Sequence, residues 1–385
     1  LTLVREGGKP FDVELTRAVI KVKSVKSQLL DDGYGYIRIT QFQVKTGEEV
    51  SKALAKLRKD NGKKLNGIIL DLRDNGGGLL NEAVQIVGLF VGENKSVVTL
   101  KGQNVNGPKN WFTPNKALLP NTPLVVLINE RSASASEVVS GSLQDMDRAV
   151  VMGQTSFGKG LVQNYVSLPY RTQMKLTTAK YYTPSGRCIQ RLNYQERGSD
   201  GQATVLTQEK KRAFQTQNGR KVFEGGGIDP DKYLDPYQGL AVYKWLEKEL
   251  ILFDWANDIY NAQPDTIFSP ITDAQYNQFV SFAIQKSQAA MQAKWQKAMA
   301  SVYSDTAFIK KTGGFQVNQT QVQSHLKAEL MANKTTVIQV LNKEIMMRKL
   351  KKTDFFKTWL TFDPETKDAA AMLRNVPTYQ RILKP

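Results

Sequence analysis

Hydrophobic and polar positions divide the chain into two parts with different periodicities. Between about residues 33 and 190, short apolar runs such as 68–72 and 124–128 alternate with helical patterns. Beyond Pro236 the strand-like runs disappear, and apolar residues recur at helical spacing. Alternating strands and helices are typical of an α/β unit, whereas the second pattern predicts helices alone. We therefore expect an α/β core followed by a helical C-terminal domain.

Strand and helix boundaries within the α/β part can be assigned from the same pattern. Strands are predicted at 35–39, 68–72, 124–128 and 148–153. Thr46 to Glu49 has the spacing of a capping box, which predicts the start of a helix. Further helices are expected from Leu79, after a glycine-rich turn, and from about Ser134 to Asp145. Each of these helices would connect two strands.

The polar segments indicate what surrounds this core. Residues 1–6 and 11–17 predict a hairpin, which we interpret as the end of a domain that begins before residue 1, because an isolated hairpin is marginal in water. The first residue is Leu1 and not Met, so we expect that a leader or a whole domain precedes it. Residues 191–226 are rich in Gln, Gly and Arg, which predicts a long, mobile surface excursion.

The C-terminal third carries its own start signals for helices. Thr272 to Gln275 has the spacing of a capping box, and Asp363-Pro364 fits an N-cap followed by proline in the first turn. The helical periodicity extends over residues 243–260, 273–299, 319–350 and 364–373.

Composition excludes several classes of protein. A chain of 385 residues exceeds what one core usually organises, so two or three domains are expected. One cysteine, Cys188, forbids an intrachain disulfide bond. No apolar run approaches the roughly 20 residues of a membrane span, and no signal peptide is visible. We therefore expect no transmembrane segment in this chain.

The net charge of +17, from 53 Lys and Arg against 36 Asp and Glu, raises the question of nucleic-acid binding. The basic residues are spread along the chain, with only short clusters such as 348–352. Zinc-finger spacing and aromatic RNA-binding motifs are both absent from the sequence. We expect no nucleic-acid partner, and attraction to acidic protein tails or to an anionic membrane surface explains the charge equally well.

Two short stretches carry the candidate chemistry: Ser132 to Glu137, and Phe157 to Gly160, with Lys159 25 positions after Ser134. The chain has one histidine, so Ser-His-Asp and Cys-His arrangements are difficult to build, and serine beside lysine remains open. A lysine acts as a base only when neutral, which requires its pKa to fall by about 3 from a reference near 10.4. This shift corresponds to about 4 kcal/mol of difference between the protonated and neutral forms. Lys159 stands between apolar residues that would desolvate it.

A serine nucleophile also needs a sharp turn after a buried strand, where helix N-terminal amides face the developing oxyanion. Ala133 and Ala135 flank Ser134 after the strand ending at Ile128, and their small size permits such a turn. Glycine lets a second backbone amide approach closely, and Gly76 to Gly78 provides that after the strand containing Asp71. Taken singly, each motif is also typical of a structural cap or turn.

Residues 153–160 offer a rival interpretation, because they match the phosphate-binding pattern G-x-x-x-x-G-K-[ST] except at the last position. Gly160 replaces the hydroxyl residue that would hold Mg²⁺, and 161–166 predicts a strand where phosphate binding needs a helix. A nucleotide site is therefore disfavoured. A zinc site is also disfavoured because the chain has a single histidine, and we expect no metal and no cofactor.

In combination, the motifs resemble the carboxyl-terminal processing proteases, also called tail-specific proteases. The resemblance extends over roughly residues 1–235 and rests on order and spacing. The segments that carry it are 35–39, 70–79, 132–137, 144–145, 148–153, 157–163, 176–186 and 226–231.

The resemblance implies a serine endopeptidase with a Ser/Lys dyad on a ClpP/crotonase-like α/β core, which cuts proteins recognised by accessible C-terminal tails. It places the nucleophile on Ser134 and the general base on Lys159. It further implies that Gln163 orients the lysine and that the backbone amides of Gly78 and Ala135 form the oxyanion hole.

Asp145 occupies the position of a family acid eleven residues after the serine, and a structural cap or an ion pair explains it equally well. The resemblance also implies three domains. Residues 1–25 would be the last strands of a truncated PDZ domain and its linker, 26–236 the protease core, and 237–385 a helical C-terminal domain.

The helical extension is similar to that of the bacterial envelope branch, which implies a periplasmic or envelope location. The resemblance is compatible with an envelope adaptor protein as a binding partner, and it specifies no oligomeric state. A non-catalytic peptide-binding scaffold with the same fold remains an alternative function.

Overall fold

The structure, a computed structural model, describes residues 1–5, 7–18, 23–62, 64–102, 107–205, 211–234, 241–302 and 319–384. The chain forms two compact units: Leu1–Lys232 together with Asn375–Pro385, and Tyr233–Arg374. The helical unit is thus an insertion, since the chain returns to the first unit at Asn375. The predicted domain boundary between residues 236 and 237 lies outside the described residues.

The first unit combines many short strands with three helices before the insertion. In chain order, the strands are β1 (Thr2–Leu3), β2 (Phe11–Asp12), β3 (Val25–Leu29), β4 (Tyr34–Ile39), β5 (Gly67–Asp71), β6 (Ser96–Lys101), β7 (Lys109–Phe112), β8 (Leu124–Ile128), β9 (Val150–Gly153), β10 (Leu161–Ser167), β11 (Gln173–Tyr182), β12 (Leu192–Arg197), β13 (Ala203–Val205), β14 (Ala213–Gln215), β15 (Lys221–Phe223) and β16 (Lys232–Tyr233). The helices are α1 (Thr46–Asp60), α2 (Leu80–Val91) and α3 (Ala135–Asp145).

A six-stranded sheet of order β16-β9-β8-β5-β4-β3 forms the centre of the first unit. Strands β4, β5, β8 and β9 run parallel, and β3 pairs antiparallel with β4. Every residue of β5 and β8 is buried, as is typical of parallel strands covered on both faces. The predicted α/β architecture is confirmed, and α1, α2 and α3 contribute apolar side chains to the same core as the sheet.

The predicted capping box at the start of α1 is wrong. The residue before the helix, Lys45, adopts a left-handed conformation with φ 74°, and no side chain caps the helix. The Thr46 hydroxyl instead accepts a hydrogen bond from the Gln43 amide at 3.0 Å. The Glu49 carboxylate accepts from the amide and hydroxyl of Ser24 at 3.2 and 2.9 Å. A tertiary contact with the segment before β3 therefore competes successfully with the local cap.

A second sheet, of order β10-β11-β6-β7, is antiparallel throughout. The hairpin predicted near the start is confirmed in a shorter form, as β1 paired with β2. The segment 191–226, predicted as a mobile excursion, forms two hairpins in its described part, β12-β13 and β14-β15. Arg220 lies buried between β14 and β15 and pairs with Asp147 and Asp231 at 2.5 and 2.6 Å, so ion pairs hold part of this segment against the core.

The second unit contains helices α4 (Ala241–Lys248), α5 (Ile251–Ala262), α6 (Asp273–Val302), α7 (Gln319–Ala332), α8 (Lys334–Lys349), α9 (Lys352–Leu360) and α10 (Pro364–Arg374). The helix predicted over 243–260 is two helices: α4 ends at Lys248, and Leu250, with φ 57°, directly precedes α5. The one predicted over 319–350 is also divided, at Asn333. The capping box before α6 is confirmed: the Thr272 amide donates to Gln275 Oε1 at 3.0 Å.

A last helix, α11 (Val376–Leu383), packs on the first unit, and the hydrophobic pattern does not predict it. The buried Tyr379 hydroxyl accepts a hydrogen bond from the Leu124 amide at 2.9 Å and donates to the Leu124 carbonyl at 3.1 Å. It therefore satisfies both backbone groups at the start of β8. No helix of the described residues has the length and apolarity to cross a membrane.

Candidate active site

The candidate residues lie at the carboxyl ends of three adjacent parallel strands. The loop after β5 carries Gly76 to Gly78, the loop after β8 carries Ser134, and the loop after β9 carries Lys159. Ligand sites of α/β sheets form outside the carboxyl ends of their strands, where neighbouring loops converge. The sheet order therefore brings together the motifs that the sequence places up to 83 residues apart (159 − 76).

Ser134 occupies a strained backbone conformation, with φ 56° and ψ −112°, directly before α3. Residues other than glycine rarely adopt these backbone angles, which cost about 1 to 3 kcal/mol and persist only where surrounding contacts impose them. Two of those contacts lie next to it: the Ala133 amide donates to the Asn75 carbonyl at 3.0 Å, and the Ser134 amide donates to Glu137 Oε2 at 2.7 Å. The predicted sharp turn after the buried strand is confirmed.

The glycine turn packs directly against the Ser134 turn. A Cβ on Gly77, which has φ 99°, would lie 2.7 Å from the Ala133 carbonyl oxygen and 2.8 Å from Ser134 Cβ. A Cβ on Gly78 would lie 2.0 Å from the Phe42 carbonyl oxygen. Glycine is therefore required at both positions for this approach.

The backbone amides of Gly78 and Ala135 are available to a ligand at this junction, whereas the amides on either side of Gly78 are occupied. Gly77 N donates to Asn75 Oδ1 at 2.9 Å, and Leu79 N donates to the Phe42 carbonyl at 2.8 Å. Between them, the Gly78 amide meets no hydrogen-bond acceptor among the described residues, and neither does the Ala135 amide at the start of α3. Free amides beside a serine are the donors that an oxyanion hole requires.

Lys159 lies on the loop between β9 and β10, and its side chain is half-buried. Its amide donates to Glu137 Oε2 at 2.9 Å, and the Phe157 amide of the same loop donates to the Ser132 carbonyl at 3.0 Å. The loop is thus bonded to the Ser134 turn on both sides. Within the described part of the chain, the Lys159 amine forms no ion pair with a carboxylate.

Glu137 is the residue that links these loops, and the sequence does not predict this role. Its Oε2 accepts hydrogen bonds from the amides of Ser134 and Lys159. Its Oε1 accepts hydrogen bonds from Ser156 Oγ and the Gly158 amide, each at 2.6 Å. Burial raises the pKa of Glu137, and these four hydrogen bonds oppose that rise. The spacing of Ser134 and Glu137 is that of a capping box, which is the signal that the sequence offers.

The loop after β5 is fixed by Asp71, the fully buried last residue of that strand. Its carboxylate accepts hydrogen bonds from the Arg73 side chain at 2.7 and 3.0 Å and from the Arg73 amide at 2.9 Å, and it also contacts Arg38 and the Tyr36 hydroxyl. Burial alone would raise the pKa of Asp71, but the guanidinium groups and hydrogen bonds lower it well below its usual range.

Gln163 is exposed on β10, four residues after Lys159. A bulge in the β10-β11 ladder lies between Val162, which faces Ala179, and Gln163, which faces Thr177. No hydrogen bond joins Gln163 to Lys159 among the described residues.

Asp145 forms a buried ion pair with Arg187 at 2.8 Å, with side-chain exposures of 0% and 1%. Its second carboxylate oxygen accepts a hydrogen bond from the Ser185 amide at 3.0 Å. Of the interpretations left open for Asp145, these contacts favour the ion pair, which fixes the turn after β11.

Tyr181, on β11, is a further neighbour of Ser134 that no sequence signal identifies. Its amide donates to the Gly160 carbonyl at 2.8 Å, beside Lys159. Burial raises the pKa of Tyr181, and a hydrogen-bonding interaction with the Ser134 side chain partly offsets this rise.

The nucleotide-binding alternative is not supported, since the residues after Lys159 form strand β10 and not a helix. A serine at a strained strand-to-helix turn, two free amides and a nearby lysine are instead the parts of a serine peptidase site.

Two segments of the chain resemble known families. Residues 33–197 match the profile of peptidase family S41, and residues 242–373 match a domain described as "Probable PDZ-protease, C-terminal helical domain". Over these two segments, the chain is similar to peptidase family S41 and to the helical domain of PDZ-proteases.

Curated relatives carry the corresponding name. A carboxy-terminal-processing protease of Bartonella bacilliformis is 42% identical over 192 residues, which cover 49% of this chain and 44% of that protein. The carboxyl-terminal-processing protease of Synechocystis is 40% identical over 187 residues, covering 48% and 42%. The chain thus spans less than half the length of these relatives. The solved photosystem II D1 C-terminal processing protease is 27% identical, with a TM-score of 0.42 over 59% of this chain and 52% of that one.

Proposed function

We propose that this chain is a serine endopeptidase in which Ser134 is the nucleophile and Lys159 the general base. The observation that carries the proposal is the strained Ser134 turn, next to two free amides and bonded to the lysine loop. The Lys159 amine would accept the hydroxyl proton as Ser134 Oγ attacks the peptide carbonyl, and later deliver it to the leaving amine. The amides of Gly78 and Ala135 would stabilise the oxyanion.

The remaining site residues have secondary roles in this proposal. Gln163 would orient the lysine amine after a local change at the β10 bulge, since no hydrogen bond joins these two described residues in this conformation. Asp145 would act through its ion pair with Arg187 and not through the substrate.

The proposal extends to the substrate class and to the location of the protein. Relatives named for carboxyl-terminal processing support protein substrates with accessible C-terminal tails. We further propose a ClpP/crotonase-like core, an envelope or periplasmic location, and residues 1–25 as the last strands of a PDZ domain. The exposed β1-β2 hairpin is compatible with that last assignment.

Two substitutions test the proposed chemistry. Ser134→Ala and Lys159→Ala should each abolish cleavage of an unfolded test protein while the circular dichroism spectrum and unfolding midpoint stay near those of the wild type. A fluorophosphonate probe should label the wild type at Ser134 and neither variant. Full cleavage by either folded variant would refute the dyad, and a wild type without cleavage or labelling would favour the non-catalytic peptide-binding scaffold.

A further inference from the structure

One carboxylate oxygen joins the two residues on which the proposed reaction depends. Glu137 Oε2 accepts hydrogen bonds from the amides of both Ser134 and Lys159, at 2.7 and 2.9 Å. Because each amide belongs to a residue whose side chain would react, the position of this oxygen controls how close the two backbones lie. The two loops come from different strand ends, β8 and β9, so local chain geometry alone does not fix their separation.

We infer that Glu137 is a positioning residue, which sets the separation of the Ser134 hydroxyl and the Lys159 amine through their backbone amides. This inference rests on the proposed function, because it assigns Glu137 a role in that same reaction. Among the described residues, no hydrogen bond or ion pair joins the Glu137 carboxylate to the Ser134 hydroxyl or the Lys159 amine. Glu137 lies in the first turn of α3, completely buried, where the helix dipole also favours a negative charge.

The chemistry of the four donors requires a carboxylate at this position. Each oxygen accepts two hydrogen bonds, from Ser134 and Lys159 on one side and from Ser156 and Gly158 on the other. A glutamine would turn its NH₂ group toward one pair of donors, which then lose their acceptor. Hydrogen bonds to a charged acceptor are also roughly twice as strong as neutral ones. The strained Ser134 backbone needs such contacts to persist.

The connection extends beyond the two loops. Ser156 Oγ donates to Glu137 and accepts a hydrogen bond from the Ile228 amide at 2.7 Å. The Ser156 amide in turn donates to the Ile228 carbonyl at 3.1 Å. The segment containing Ile228, whose side chain also lies against Gly141 of α3, therefore holds the lysine loop through Ser156 in addition to Glu137.

The test compares Glu137→Gln with Glu82→Gln, the same substitution at another buried carboxylate. Glu82 accepts hydrogen bonds from the amides of Gly47 and Lys45, at 2.8 and 3.2 Å, on helix α2. Misplacing reacting groups by about 1 Å can cost 10²-fold in rate, so we expect Glu137→Gln to lower kcat about 100-fold, with KM within about 3-fold of the wild type. Fluorophosphonate labelling of Ser134 should slow in parallel.

Glu82→Gln should lose a similar amount of stability and keep its kcat. A folded Glu137→Gln variant with wild-type kcat would overturn the inference, as would an equal loss of kcat in Glu82→Gln. If Glu137→Gln does not fold, Glu137→Asp replaces it, because it keeps the charge but shortens its reach, and the same drop in kcat is expected.

A separate measurement distinguishes this inference from the proposed function. Amide hydrogen exchange at Ser134 and Lys159 should accelerate in Glu137→Gln and not in Glu82→Gln. If the wild type neither cleaves protein nor reacts with the probe, the proposed function fails and Glu137 positions no reaction. If the wild type is active and exchange at both amides is unchanged in Glu137→Gln, the positioning role alone is refuted.

Discussion

Two buried carboxylates, Asp71 and Glu137, fix neighbouring loops of the candidate site in chemically opposite surroundings. Asp71 is held by two guanidinium groups, whereas Glu137 is held by three amides and a hydroxyl, all neutral. The positive charges lower the pKa of Asp71, and burial keeps that of Glu137 raised.

This difference separates two ways of fixing a loop. Coulomb attraction falls slowly with distance, so the Asp71 cluster tolerates small displacements and mainly contributes to stability. Hydrogen bonds to neutral amides weaken steeply outside a narrow range of distance and angle. Glu137 is therefore suited to hold two loops at one separation and orientation. Its loss should destabilise the fold less than the loss of Asp71.

Removing the charge of Asp71 should have the largest effect on stability. Asp71→Asn breaks the buried ion pair with Arg73, and breaking a buried pair costs about 3 to 5 kcal/mol. Urea unfolding of the two proteins measures the difference. Asp60→Asn, which breaks the exposed pair with Lys56, serves as the control and should cost less than about 0.5 kcal/mol. Equal losses in the two variants would show that Asp71 is not held by its charge.

The two carboxylates should also give opposite pH trends. The pKa of Asp71 is lowered in the folded state. Its contribution to the free energy of unfolding is therefore complete above the ordinary pKa of 3.8 and is lost as pH falls toward the folded-state pKa. The pKa of Glu137 is raised in the folded state. Its contribution to the free energy of unfolding is therefore complete below the ordinary pKa of 4.5 and declines as pH rises through the folded-state pKa.

Unfolding free energies measured from about pH 3 to pH 8 test this contrast. The stability advantage of the wild type over Asp71→Asn should grow as pH rises through the acid range. Its advantage over Glu137→Gln should shrink as pH rises above about 4.5. Parallel trends in both variants would remove the distinction between the two sites.

A methyl group on the glycine turn should disturb both stability and the site. Gly77→Ala combines a left-handed φ with contacts of 2.7 and 2.8 Å to the Ser134 turn, and we expect a loss of about 1 to 3 kcal/mol. Labelling of Ser134 by the probe should also become slower. Gly76→Ala is the matched control, since a Cβ there meets no atom of the described residues within 4 Å. Similar behaviour of both variants would contradict the tight packing of the two turns.

The smallest effect is expected from the Tyr181 hydroxyl. Tyr181→Phe keeps the buried ring and removes only the interaction with Ser134, so stability should change by less than about 1 kcal/mol. Probe labelling should change by less than about tenfold, because the amides of Gly78 and Ala135 are unaffected. A larger drop in labelling would assign Tyr181 a direct part in the reaction.

The sequence predicts the parts of this site better than their connections. The loops of Ser134 and Lys159 follow buried strands whose apolar runs are unmistakable, so their convergence at one sheet edge is predictable. The S/T-x-x-E spacing occurs at both Thr46 and Ser134, yet only at Ser134 does the backbone amide donate a hydrogen bond to the glutamate side chain. Local spacing cannot show which distant donors surround a carboxylate.

Strand register sets a similar limit for Gln163. Its position on β10 is predictable from the apolar run after Lys159, whereas the bulge beside it depends on the pairing of β10 with β11, the next strand along the chain. The exposed fraction of its side chain follows from that pairing. The break of the helical pattern at Leu250 is equally invisible in the sequence, since leucine does not favour a left-handed conformation.

The Tyr379 contact with Leu124 has a consequence for how the protein folds. The two residues are 255 positions apart, and the whole helical unit lies between them in the chain. Closing so long a loop carries a high entropic cost until the intervening chain has become compact. We therefore expect β8 to acquire its last hydrogen-bonding partner late, after the inserted helices have formed. The protease unit would then complete its folding only when nearly all of this chain has been synthesised.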